Sequence, residues 1–177
     1  MEALIAVDVQ NDFCPGGALA VPDGDAVIDP VNRLAEQADY VVATRDWHPP
    51  DHASFAAEGG PWPVHCVRDT PGAQLHAALQ TDRIEDIVDA GRTRDAEGYS
   101  GFEDTNLEAL LHAHDVDTVH VAGLALDYCV KATALDAKRA GFNVIVHLDA
   151  TRPVEVTPGD GDRAVAELRE AGVSVVD

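Results

Sequence analysis

The segment Thr118–Leu135, TVHVAGLALDYCVKATAL, predicts a buried strand that turns sharply into a helix. Its apolar run ends at Gly123, and the small and branched residues after Asp127 suit a helix packed on a sheet. Cys129 therefore falls on the first turn of that helix. Backbone N–H groups there lack intrahelical partners and the macrodipole is positive, which favours a nucleophilic thiolate. The competing interpretation is a small apolar cysteine that fills a strand-to-helix corner.

Strands and helices alternate along the whole chain. Short apolar runs predict strands at 3–9, 40–44, 84–89, 118–123, 143–149 and 173–176. Amphipathic patterns and capping residues predict helices at 25–37, 71–79, 106–114, 129–140 and 160–171. The acidic residues of the third run indicate an edge strand. The alternation predicts an α/β fold with three layers, in which helices cover both faces of a doubly wound, mostly parallel six-stranded sheet.

Length and composition favour one cytoplasmic domain. The chain has 177 residues, of which 46% are hydrophobic, so a single domain spanning 1–177 is expected. No apolar run approaches the length that spans a membrane, and the N-terminus lacks a signal-like pattern. Three cysteines form no disulfide framework, which indicates a reducing compartment.

The charge of the chain is strongly negative. Its 32 acidic residues outnumber 12 basic ones, giving a formal net charge of -20, and only Lys131 and Lys138 are lysines. Nucleic acids and anionic membranes are therefore poor partners. Because the carboxylates are spread along the chain, they predict the solvated acidic surface of a protein from a salt-loving organism. An ordinary acidic cytosolic protein is the alternative.

An aspartate interrupts the first predicted strand near its carboxyl end. Asp8 would be costly there if it were merely buried, and useful if it moved protons. Open α/β sheets bind ligands beyond the carboxyl ends of their strands, at the point where the strand order reverses. Asp8, Asp46 and Cys129 are therefore expected around one crevice.

A histidine-rich loop follows the second predicted strand. In Arg45–Phe55, RDWHPPDHASF, the candidate ligands Asp46, His48 and His52 lie within seven residues, and His65 follows. One carboxylate and three imidazoles can bind one divalent ion such as zinc, iron or manganese and leave positions open for water or substrate. Surface histidines in a polar loop are the competing interpretation.

Five motifs together resemble a known family. They are VDVQNDFCPGG (7–17), RDWHPPDH (45–52), WPVHC (62–66), GYSGF (98–102) and GLALDYCV (123–130). In this order the motifs resemble the nicotinamidase/pyrazinamidase family of the isochorismatase-like cysteine hydrolases, and the likeness covers nearly the whole chain. The resemblance implies hydrolysis of nicotinamide, and of pyrazinamide, to the acid and ammonia through a thioester, in NAD salvage. It leaves the choice between a monomer and a small homo-oligomer open.

The resemblance also implies roles for individual residues. Cys129 would be the nucleophile and Asp8 the general base and acid. A cis peptide between Leu124 and Ala125 would turn the Ala125 N–H towards the oxyanion, alongside the N–H of Cys129. A divalent metal would be bound by Asp46, His48, His52 and His65. Aromatic residues around the flat ring of the substrate would be Phe13, Trp62, Tyr99 and Tyr128.

One catalytic position departs from the family pattern. The family completes its catalytic triad with a lysine before a glycine, and this chain has Ala90 before Gly91. Without the cation, Cys129 is expected to be more protonated and Asp8 to be a poorer base. Arg92 or Arg94 is a candidate replacement, although a guanidinium cannot exchange protons at neutral pH. We interpret Ala90 as an inactivating change, and we favour an engineered substitution over natural divergence.

Two other functions compete with the amidase. One is hydrolysis of a ureido acid or of isochorismate on the same fold, and superfamily members with those substrates commonly lack the metal loop. The other is a non-catalytic protein that binds nicotinamide or nicotinate, in which Ala90 marks the loss of activity.

Overall fold

Six parallel strands form a single sheet in the computed structural model, which describes residues 1–177. In chain order the strands are β1 (Glu2–Val7), β2 (Tyr40–Asp46), β3 (Asp86–Ala90), β4 (Thr118–Leu124), β5 (Asn143–Arg152) and β6 (Ser174–Val176). Their order across the sheet is β3-β2-β1-β4-β5-β6, and every pair is parallel. The predicted α/β sheet is confirmed, and β3 lies at an edge as expected.

Helices cover both faces of this sheet. They are α1 (Ile28–Gln37), α2 (Leu107–Ala113), α3 (Lys131–Arg139) and α4 (Asp160–Glu170). Alternate residues of β1 point to opposite faces, so Ile5 packs in the core beneath α2, α3 and α4, whereas Leu4 packs in a second core beneath α1. No helix is both long enough and apolar enough to cross a membrane.

The strand order reverses beside β1. Chain connections lead from β1 outward to β2 and β3 on one side and to β4, β5 and β6 on the other, which opens a crevice at the carboxyl ends of β1, β2 and β4. Val7 is in register with Gly123 there. A Cβ on Gly123 would stand 2.1 Å from the carbonyl oxygen of Val7, so only glycine permits this close approach.

The connection between β2 and β3 differs from the expectation. A helix over 71–79 is wrong, because the segment between the two strands contains only short 3₁₀ turns, including Pro71–Ala73. Leu75 instead forms an antiparallel bridge with Gln10, and the His76 N–H donates to the Val9 carbonyl. The backbone hydrogen bonds that a helix would have used are thus made with the loop that follows β1.

Candidate active site

Asp8 and Cys129 meet at the point where β1 and β4 end. Asp8 has a left-handed backbone (φ 49°), is 3% exposed, and its Oδ1 accepts a 2.6 Å hydrogen bond from the Thr44 hydroxyl. Cys129 lies in a π-helical turn, Leu126–Val130, that joins β4 to α3. A carboxylate oxygen of Asp8, one of Asp46 and the sulfur of Cys129 all lie within 4.8 Å of one another. A non-glycine residue with positive φ at such a position is typical of functional sites.

Burial determines the protonation of this pair. Desolvation, with the nearby Asp46 carboxylate as the second cause, raises the pKa of Asp8 to about 8. Desolvation and then the charges of Asp8 and Asp46 raise the pKa of the Cys129 thiol well above its usual value. The position at a helix start alone favours a thiolate, but in this chain burial and two carboxylates outweigh that effect.

Asp46, His48 and His65 bring three buried ligand atoms together. Asp46 is the last residue of β2, and its Oδ2 lies 3.3 Å from His48 Nε2 and 3.8 Å from His65 Nε2. The other ring nitrogens are held from behind, because His48 Nδ1 is 2.9 Å from the Gly91 carbonyl and His65 Nδ1 is 2.8 Å from the Pro63 carbonyl. Outer hydrogen bonds of this kind orient imidazoles that bind metals.

His52 lies beside this group rather than within it. Its ring stacks on that of His48 with centroids 3.9 Å apart, its Nδ1 is 2.7 Å from the Ser54 hydroxyl, and its Nε2 is buried without a partner. Burial is the main cause that lowers the pKa of His52 to about 4 and lowers the pKa of His65. Burial also acts on His48, but the hydrogen bond and charge of Asp46 outweigh it and raise that pKa.

These residues fit a divalent metal ion. Two of the buried polar atoms without a hydrogen-bond partner in the whole chain, Asp46 Oδ1 and His52 Nε2, lie here. Buried polar atoms are rarely left unpaired, so their presence beside three convergent ligand atoms matches the chemistry of a nitrogen and oxygen metal site.

Aromatic side chains enclose a cavity above Cys129. The cavity is narrow, because the space open to the centre of a water molecule within it is only about 30 Å³. Its lining includes all four predicted aromatic residues, namely Phe13, Trp62, Tyr99 and Tyr128. The Trp62 indole N–H donates a 3.0 Å hydrogen bond to the Tyr99 hydroxyl, and the Trp62 and Tyr128 rings meet edge to face at 5.1 Å. A flat apolar slot therefore leads to the sulfur.

Ala125 also lines this cavity, and the peptide bond that joins it to Leu124 is cis. The two residues connect the end of β4 to the turn that carries Cys129. Both are buried, Leu124 completely and Ala125 at 6% exposure.

No basic side chain replaces the lysine that the family pattern places at position 90. Ala90 is 3% exposed and in register with Asp46. The expectation that Arg92 or Arg94 enters the site is wrong. Arg94 pairs with the surface carboxylates of Glu58 and Asp95, and Arg92 is exposed beside β3. Arg94 stays at the surface for two reasons: it pairs with acidic side chains there, and an exposed guanidinium retains its hydration.

Sequence reasoning missed two residues that position the site. Thr44 donates to Asp8, and Gln10 clamps the backbone of Asp46: its Oε1 accepts from the Asp46 N–H (2.9 Å) and its Nε2 donates to the Asp46 carbonyl (2.8 Å). Gln10 is fully buried, and a buried amide inside a strand-end motif is the signal that could have identified it. The cavity residues Leu19, Val21 and Val154 were also missed, and no local pattern marks them.

Comparison with known proteins agrees with this geometry. A family profile described as "Isochorismatase domain" matches residues 2–177. The chain is 46% identical to a nicotinamidase/pyrazinamidase of Mycobacterium tuberculosis, over 99% of this chain and 98% of that protein. It is 46% identical to the pyrazinamidase of Pyrococcus horikoshii in complex with zinc (TM-score 0.92, 99% and 98% coverage). It is 44% identical to PnC1 of L. infantum in complex with nicotinate (TM-score 0.94, 99% and 91% coverage). The chain belongs to the isochorismatase family and, within it, to the nicotinamidases and pyrazinamidases.

Proposed function

We propose that this chain binds nicotinamide and hydrolyses its carboxamide to nicotinate and ammonia, and that it acts on pyrazinamide in the same way. The observation that carries the proposal is the convergence of the buried Cys129 sulfur and the Asp8 carboxyl group, within 4.8 Å, beside a cavity with aromatic walls. A nucleophile, an adjacent base and a slot for a flat ring are the elements that acyl transfer from a heteroaromatic amide requires.

The aromatic residues orient the substrate. Trp62 and Tyr128 line the cavity with their rings edge to face, and Phe13, which also lines it, packs against His65 with ring centroids 5.7 Å apart. A nicotinamide ring between them buries its faces and directs its carboxamide to Cys129. This placement converts the attack into a reaction within one complex.

Asp46, His48 and His65 would hold the metal ion, with His52 beside them. When bound, the ion supplies a Lewis acid to which the ring nitrogen of the substrate can be attached. The backbone carbonyls of Gly91 and Pro63 keep the rings of His48 and His65 in position for this task.

Asp8 moves the protons of the reaction. It takes the proton of the Cys129 thiol while the sulfur forms a bond to the amide carbon, and the N–H groups of Ala125 and Cys129 are assigned to the resulting oxyanion. Asp8 then gives the proton to the leaving nitrogen, the C–N bond breaks, and ammonia departs from a thioester. Water attacks the thioester carbon and loses a proton to Asp8, the C–S bond breaks, and Asp8 passes that proton to the sulfur as the acid product leaves and ionises to nicotinate.

Ala90 is expected to slow these reaction steps. A neighbouring ammonium would favour the charged forms of both Asp8 and Cys129, and none is present. With its pKa raised to about 8 by burial and by Asp46, Asp8 is mostly protonated at pH 7, so only a minor fraction is in the form that can accept the thiol proton. Turnover at neutral pH is therefore expected to be low and to increase towards alkaline pH.

The direct test is ammonia and nicotinate release from nicotinamide by the purified chain and by Cys129→Ala. Slow release that disappears in Cys129→Ala supports the amidase. No binding of nicotinamide by calorimetry, together with turnover of a ureido acid or of isochorismate, would instead assign the chain to another hydrolase of the superfamily.

A second candidate function is a non-catalytic receptor for nicotinamide or nicotinate, and the buried methyl group of Ala90 favours it. The receptor predicts binding without release of ammonia at any pH. Measurable hydrolysis at pH 9 would exclude it, because a receptor has no use for a competent nucleophile.

We place the proposed reaction in NAD salvage in the cytoplasm of a salt-loving organism. The net charge of -20 is the support for the salt-loving source. Carboxylates repel one another more strongly when salt is removed, so the melting temperature should fall with ionic strength. Thermal melts across a salt series test this, and a melting temperature that stays flat or rises as salt is removed would contradict it.

A further inference from the structure

A second group of metal-binding atoms lies next to the histidines. A carboxylate oxygen of Asp8, one of Asp46 and the Cys129 sulfur are all within 4.8 Å of one another, and each of the three residues is at most 5% exposed. Two oxygens and one sulfur are a donor set that zinc accepts, at distances of about 2.0–2.3 Å. Small side-chain movements would bring these atoms onto one ion.

No lysine or arginine neutralises this group. None of the 12 lysines and arginines is among the buried residues. Arg45, the nearest in sequence to Asp46, is paired with Asp89 at 2.7 Å and stacks on Trp47. Two carboxyl groups and a thiol are thus enclosed without a lysine or arginine, and ionised groups in that situation are costly unless a cation joins them.

Asp46 provides a second observation, and it involves both groups of ligand atoms. Its Oδ2 faces His48 and His65, while its Oδ1 is buried and has no hydrogen-bond partner. A carboxylate that uses one oxygen towards the histidines and has a second, unpaired oxygen has the form of a bridge between two cations. Pairs of metal ions in enzymes commonly lie about 3.5–4 Å apart and share such ligands.

We propose that Asp8, Asp46 and Cys129 form a second cation site, selective for thiophilic divalent ions such as zinc and cadmium, which shares Asp46 with the histidine site. On binding, the S–H bond of Cys129 breaks, a sulfur–metal bond forms, and the proton leaves to solvent. The ion occupies the catalytic nucleophile, so excess zinc inhibits any amidase activity. The inference rests on the donor atoms alone and does not depend on the proposed reaction.

The experiment measures metal stoichiometry without substrate. Chelator-stripped protein is titrated with zinc by calorimetry and with cadmium by ultraviolet absorption, where a sulfur–cadmium bond gives a charge-transfer band. Two equivalents of metal and one thiolate band are expected. Cys129→Ser and, separately, Asp8→Asn should each lose one equivalent and keep the other, and Cys129→Ser should also lose the band. Cys14→Ser, a buried cysteine outside the group, is the matched control and should keep both equivalents.

Two further variants separate the sites. His48→Ala should weaken metal binding at the histidine site and retain the cadmium band. Ala90→Lys should abolish the Cys129 equivalent, because an ammonium would take the place of the cation, and should retain the histidine equivalent. Three results would each overturn the proposal. The first is a single equivalent of metal without a cadmium band, and the second is a single equivalent that is lost in both His48→Ala and Cys129→Ser. The third is two equivalents that are unchanged in Cys129→Ser and Asp8→Asn. Thermal melts establish that every variant is folded.

Discussion

The two halves of the candidate site differ in how completely the fold supports them. In the histidine half, formed by Asp46, His48, His52 and His65, each imidazole has a partner for its Nδ1, and Gln10 fixes the backbone of Asp46. In the nucleophile half, formed by Asp8 and Cys129, one hydroxyl supports the carboxylate and no lysine or arginine is buried beside it.

The difference indicates that the departure from the family pattern is local. If the whole site had lost its function, we would expect the outer hydrogen bonds of the metal ligands to be lost together with the catalytic side chain. Here the ligand half and the aromatic slot are intact, and the deficit is confined to Ala90, a buried residue in register with Asp46. Each of the following predictions either removes this asymmetry or sharpens it.

The largest effect is expected from restoring the cation. Ala90→Lys should raise amidase turnover at neutral pH by about 10²–10⁴, the usual contribution of a proton-managing group. The measurement is ammonia release at saturating nicotinamide. Ala90→Met, which has similar length without the charge, is the control and should give no gain. A failure of Ala90→Lys to increase turnover would mean that the nucleophile half has a further defect.

Removing a histidine should damage the intact half. His48→Ala or His65→Ala should weaken metal binding by at least about 10–100-fold, the loss seen when only an outer partner is removed, and should weaken nicotinamide binding with it. Elemental analysis and a ligand titration measure both effects. His112→Ala, on the exposed side of α2, is the control and should change neither. Full metal content in both site variants would show that the ligands are other residues.

The reactivity of Cys129 should report the missing charge directly. Because burial and two carboxylates raise its pKa, alkylation in the presence of chelator should be slow at pH 7 and still accelerate at alkaline pH. Ala90→Lys should increase the rate at pH 7 about tenfold. Peptide mapping is needed to distinguish Cys129 from Cys14 and Cys66, whose thiol pKa values burial also raises. Rapid alkylation at pH 7 with Ala90 in place would contradict this account.

The smallest effect concerns stability. The pKa of Asp8 rises from 3.8 to about 8 on folding, so between these values the folded state binds more protons and its stability falls as pH rises. Asp8→Asn cannot ionise, so its stability should increase relative to that of the parent as the pH rises from 4 to 9. Denaturant unfolding with chelator measures this. The control is Asp82→Asn, at an exposed site, which should show no such dependence on pH. If the stability difference between Asp8→Asn and the parent is the same at every pH, the prediction is contradicted and Asp8 is ionised in the folded protein.

The regular elements were predictable because each is determined by its own residues. The apolar runs of β1 and β4 identified central strands, and turn chemistry at Gly123 located the crevice. The segment 71–79 was not predictable, because backbone hydrogen bonds join it to Val9 and Asn11 in place of the bonds within a helix.

The same distinction applies to the site. Asp8, Asp46 and Cys129 follow strands, and parallel strands bring their ends together. The contributions of Thr44 and Gln10 depend on side-chain contacts across the sheet, and those of Leu19 and Val154 on loops folding over it. Sequence spacing carries no information on such long-range contacts.

The Gln10 clamp has a consequence for how the molecule opens. The connection between β2 and β3 carries His48 and His65 but has no helix or strand of its own. It is tied down by side chains of the loop after β1: Gln10 holds Asp46, and Asp12 Oδ2 accepts from the Cys66 N–H at 2.8 Å. Such a segment opens as one cooperative unit of local unfolding. Part of the free energy that keeps the two histidines in place is therefore stored outside the segment that carries them.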